Sequence, residues 1–149
     1  MKRWIGLIGV CLAMGLGAGG AAPSVKTATV SDPQIVVSLL RGDVQLVGSS
    51  FPNKAFQTGV LALLRAKTIK LKVLTTREAA PGLSALKASG AQISVLPNGV
   101  RMTGSLVLVG NDTAILSQGP SKWYVMQGPG AASTFKVNLS TYTAYARPY

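Results

Sequence analysis

The sequence predicts a mixed α/β fold in which helices cover a largely buried sheet. Three observations carry this. Apolar residues at helical spacing alternate with short runs rich in Val, Ile, Leu and Thr. Residues 106–109 form a continuous apolar run, the pattern of a strand covered on both faces. The helical and strand segments alternate along most of the chain, which is the order that layers helices on a sheet.

The amino-terminal residues stand outside this pattern. Lys2 and Arg3 precede an apolar, glycine-containing run over 4–16, and Ala18, Gly19, Gly20, Ala21 and Ala22 follow. Charge, short apolar stretch and small-residue exit read as a secretory signal peptide over 1–22, cut after Gly20 or Ala22. No stable transmembrane span is expected after that cut. The alternative is an uncleaved anchor helix, though the run is short for a bilayer. Cys11 is the single cysteine, and Val10 stands where a lipoprotein signal needs a small residue. The rest, 23–149, reads as one domain without disulfides, large enough to bury a core. The expected location is secreted, periplasmic or at the cell envelope.

Taken in order, residues 22–30 predict an extended or mobile lead-in. Ser31 and Gln34 form a capping-box pattern with Ser31 as N-cap. Ile35, Val36, Leu39 and Leu40 then share one helical face, closed by Arg41 and Gly42. A short strand over 44–48 and a turn over 49–53 follow, with Pro52 preset for a helix start. Phe56, Val60, Leu63 and Leu64 predict an amphipathic helix over 54–66. A strand spans 68–75. Pro81 opens a short helix with Leu83 and Leu86 inward, ended by Gly90. A strand over 92–96, a Pro97-Asn98-Gly99 turn and extended chain over 100–102 come next. A hairpin joins 106–109 to 113–116 through Asn111 and Asp112. One more strand covers 123–127 and is broken by Gly128, Pro129 and Gly130. Phe135, Leu139 and Tyr142 predict a last helix, against the weak propensity of Val137, Thr141 and Thr143.

Residues 101–119, RMTGSLVLVGNDTAILSQG, are the most informative stretch. They resemble the strand–turn–strand of the phospholipase D superfamily, whose motif is His, any residue, Lys, four further residues, then Asp. The three slots hold Thr103, Ser105 and Gly110 here. The resemblance extends over roughly 31–142. Residues 35–51 are similar to the family's first helix and strand, LLRAKTIKLKVLTT to its next helix and strand, and LSALKASGAQISVL to the helix and strand before the motif. It implies a phospholipase D-like mixed sheet flanked by helices, built as one half-domain.

In that family two halves pair, within one chain or as a dimer. One His attacks phosphorus, the other protonates the leaving group, and the lysines bind phosphate oxygens. The chemistry needs an imidazole that is both nucleophile and leaving group. This chain has no histidine. Its threonine and serine hydroxyls are inert without a neighbouring base, and only Glu78 and Asp112 lie near expected strand ends. The resemblance therefore implies a scaffold without its usual catalysis; a residual phosphodiesterase is the weakest reading.

Neither a metal nor a cofactor is expected: His and Cys ligands are absent from 23–149, and four scattered carboxylates are too few. The glycines at 15, 17, 19 and 20 belong to the signal. Without Lys2 and Arg3, thirteen cationic residues face Asp32, Asp43, Glu78 and Asp112, a net charge of +9. Such a surface attracts polyanions such as nucleic acid. Arg65, Lys67, Lys70, Lys72 and Arg101 are the candidate phosphate contacts, and Lys70 and Lys72 share a strand face. The ordinary alternative is that they mark an exposed strand start. Trp123, Tyr124, Tyr142, Tyr145 and Tyr149, near Lys122 and Arg147, offer a stacking surface or, more ordinarily, packing. The functional expectation is a polyanion-binding, catalytically inactive domain. The alternative is a structural or regulatory partner of itself or of an intact phospholipase D-like chain.

Overall fold

The computed structural model describes residues 3–5, 25–49, 51, 53–102 and 104–149. The predicted signal peptide, its cleavage points and Cys11 thus lie outside the described residues, apart from the backbone of 3–5. That backbone forms a short strand, β1 (Arg3–Ile5), parallel to β6 (Val100–Met102).

The parallel part of the main sheet is β3 (Gly42–Gly48), β4 (Ile69–Thr76) and β5 (Gln92–Leu96). β7 (Ser105–Val109), β8 (Thr113–Ser117) and β9 (Trp123–Gln127) continue it antiparallel from β3. The edges are β2 (Lys26–Val30), beside β9, and β10 (Arg147–Pro148), beside β5. The eight strands run in the order β10-β5-β4-β3-β7-β8-β9-β2. Helices connect the parallel strands: α1 (Pro33–Ser38) precedes β3, and α2 (Lys54–Arg65) joins β3 to β4. A 3-10 turn (Ala80–Leu83) and α3 (Ser84–Ala88) join β4 to β5. α4 (Ser133–Thr143) follows β9.

Each face of the sheet has its own core. On one face Val44, Leu46, Ile69, Leu71, Val73, Ile93, Val107 and Ile115 meet Val36, Phe56, Val60 and Leu64 from α1 and α2. On the other, Leu106, Leu108, Ala114, Leu116 and Met126 meet Phe135 and Leu139 of α4. Burying those two α4 side chains contributes about 1.5–3 kcal/mol each. That packing overrides the weak propensity of the helix. β7 is buried along its whole length, as its apolar run predicts.

Two local expectations are corrected, the cap of α1 and the form of the segment opened by Pro81, and two edge strands are defined. The N-cap of α1 is Asp32, not Ser31: its carboxylate accepts from Gln34 N at 2.8 Å, with Pro33 in the first turn. A carboxylate one residue later wins because it charge-assists the bond. The lead-in is a strand, β2, antiparallel to β9. The chain end forms β10, antiparallel to β5. Both are mostly exposed edge strands without apolar alternation, so only the partner strand defines them. The segment opened by Pro81 starts as a 3-10 turn before α3. Asn53, accepting from Phe56 N at 2.9 Å, caps α2.

Candidate functional site

The two described motif slots, Ser105 and Gly110, do not share a cavity. Thr103 lies outside the described residues. Ser105 opens β7, is 6% exposed, and pairs with Gly48 at the carboxyl end of β3. A Cβ on Gly48 would stand 3.0 Å from Ser105 Oγ and from Gly104 O, so only glycine lets the strands approach this closely. The space beside Ser105 is a cavity of about 10 Å³ walled by Phe51, Phe56, Val107 and Trp123. That is at the lower limit for one water. The rings of Phe56 and Trp123 sit 6.2 Å apart. No titratable side chain lines that cavity among the described residues. Gly110 is at the far end of β7, roughly 16 Å away at about 3.3 Å per residue. It takes φ +53° in the turn to β8.

The described carboxylates do not repair the slots. Glu78 is exposed in the turn after β4, and Asp112 is exposed in the β7–β8 turn, at the other end. Among the described residues no three His, Cys, Asp or Glu side chains come together. No helix among them is long and apolar enough to cross a membrane.

The charged site lies elsewhere. α4 leaves part of its face of the sheet open. Where it stops, the amino-terminal halves of β3, β4 and β5 lie bare. β4 shows this in sequence: Ile69 and Leu71 are buried and Lys70 and Lys72 exposed, whereas residues 73–76 are buried throughout. With the sheet as floor and α4 as wall, this makes an open trough of about 880 Å³. Lys67, Lys70, Lys72 and Lys136 line it, and Asp43 is the one carboxylate in the lining among the described residues. Gln45, Gln92, Ser140 and Thr143 add neutral polar groups. Lys136 Nζ also donates to Asn111 Oδ1 at 3.1 Å, which ties it to the β7–β8 turn.

Three of the five sequence candidates therefore come together: Lys67, Lys70 and Lys72. Arg65, in the last turn of α2, and Arg101, in β6, do not line the trough. Lys136 was not among the candidates. Its signal was its place one residue after Phe135, at the margin of the apolar stripe of α4. The aromatic set does not form one surface. Trp123 is buried against Phe56, and Tyr124 packs on the α4 core. Tyr142, Tyr145 and Tyr149 are exposed, with Lys87 Nζ 4.9 Å from the Tyr149 ring centre.

The trough and Ser105 are at opposite ends of the sheet, and Lys70 and Lys72 point from the face away from Ser105. Ser105 shares its face with Val107 and Val109, in the core under α1 and α2. The trough lies beside Leu108 and Leu139.

No protein-family model matches the chain. No curated protein matches it either. Solved structures do. NUC from Salmonella typhimurium, described as a phospholipase D family member, matches at 12% identity and TM-score 0.63, over 85% of this chain and 97% of that one. NucT from Helicobacter pylori matches at 9% identity and TM-score 0.65, over 84% and 99%. TrmBL2, an archaeal chromatin protein described as showing a novel mode of DNA binding, matches at 12% and TM-score 0.58, over 95% and 61%. At these identities the likeness is one of fold: an open mixed sheet of eight strands flanked by helices, phospholipase D-like.

Proposed function

We propose that this protein is a secreted binding module that holds a phosphate-rich polyanion, nucleic acid first among them, without hydrolysing it. One observation carries the reading: among the described residues, four lysines share a single trough with one carboxylate. Clustered cations in a recess focus the field and favour a polyanion over isolated anions. Sharing its fold with a chromatin protein described as DNA-binding gives the nucleic-acid choice further support. The reading of inertness rests on the absence of histidine and on the small cavity beside Ser105, which no titratable side chain lines among the described residues. The reading of secretion rests on the pattern of residues 1–22.

The test is binding of a labelled oligonucleotide to the purified protein across a salt series. Four lysine–phosphate contacts give a log–log slope of about −3 between about 50 and 200 mM salt. No binding at low salt, or an affinity indifferent to salt, would sink the reading.

A further inference from the structure

We infer that the trough takes a single-stranded nucleic acid segment with bases turned toward the sheet, rather than a duplex or a bare phosphate chain. This rests on the polyanion reading and narrows it. The floor is two ladder rungs on one sheet face. Asp43 stands across from Lys70, and one step along the strands Lys72 stands between Gln45 and Gln92. Lys70 and Lys72 are two residues apart, about 6.6 Å along the strand. That is comparable to the separation of consecutive phosphates on one extended nucleic acid strand.

The amides point beyond a bare phosphate chain. A site for phosphate alone gains from cations and backbone N–H groups. Gln45 and Gln92 flank Lys72 with groups that both donate and accept, which suits base edges. The concave shape decides between strand forms. A duplex shows its base edges only inside its grooves, so reading them needs a helix or β-ribbon that protrudes into the groove. This surface is recessed, with α4 as its wall, and the trough of about 880 Å³ is of small-ligand size. A single strand, whose base edges are free, can offer them to the glutamines while its phosphates meet the lysines.

The experiment uses the purified protein and three probes under one salt condition: a labelled single strand of about 12 nucleotides, a length within the usual single-strand site sizes, its duplex, and inorganic polyphosphate. The expected result is single-strand binding at least tenfold tighter than duplex binding. Replacing both glutamines (Gln45→Ala with Gln92→Ala) weakens single-strand binding three- to tenfold and leaves polyphosphate binding unchanged. Lys70→Gln with Lys72→Gln weakens both. Each variant's fold is checked by its circular dichroism and melting temperature. Duplex binding equal to or tighter than single-strand binding overturns the inference while the polyanion reading stands. So does a glutamine pair whose loss changes nothing, or lowers polyphosphate binding equally. Failure of all three probes to bind overturns the polyanion reading itself.

Discussion

Lys70 stands directly across the β3–β4 ladder from Asp43, the one carboxylate among the described residues that line the trough. A negative charge there offsets part of the attraction that the lysines exert on an anionic chain. Asp43→Asn keeps the shape and removes that charge. Oligonucleotide affinity should rise about two- to fivefold at low salt, and the gain should shrink as salt screens the site. Fluorescence anisotropy across a salt series measures both.

The emptied motif yields a different expectation. The parent protein should not turn over a generic phosphodiester substrate, and Thr103→Ala and Ser105→Ala should leave its rate at background. A turnover in the parent that either substitution abolishes would restore an enzymatic reading. Ser105→Ala removes a buried hydroxyl and should destabilise the fold by about 1–3 kcal/mol in urea titration.

Helix packing supplies a third test. A Cβ on Gly59 of α2 would stand 2.6 Å from Cγ2 of Val37 in α1. Alanine there gains about 1 kcal/mol of helix propensity, but forcing the helices apart costs about 1–3 kcal/mol. Gly59→Ala should therefore be net destabilising, by about 1 kcal/mol. Combining it with Val37→Ala should cost less than the sum of the two, with a coupling of about 0.5–1 kcal/mol from the double-mutant cycle.

The last three residues close a sheet edge. Tyr149 N donates to Ile93 O at 2.9 Å, and Arg147 and Pro148 pair with Val95 and Ser94. Deleting residues 147–149 should lower stability by about 2 kcal/mol, from bonds worth about 0.5–1.5 kcal/mol each. It also bares the edge of β5. Light scattering should then show concentration-dependent association that the full chain lacks.

Much of this fold was legible because local chemistry and tertiary environment agree. The stripe Phe56, Val60 and Leu64 is the buried face of α2, and the apolar run beginning at Leu106 lies in the centre of the sheet. Residues 101–119 predicted a hairpin, and β7 and β8 form one. The edge strands were not legible. β2 and β10 bury little and lack apolar alternation, so their extended form depends on hydrogen bonds to distant strands.

The sequence by itself determined the α/β class, the positive charge, the absence of imidazole, and the shared strand face of Lys70 and Lys72. These follow from residue identity and short-range periodicity. Only the tertiary structure decided which cations meet. α4, far along the chain from Lys70, brings Lys136 to the trough wall, while Arg65 and Arg101 fall outside it. It also decided that the lysines lie at the end of the sheet away from Ser105. A charge cluster is a property of distances in space, and chain folding sets those distances through contacts that no local pattern encodes.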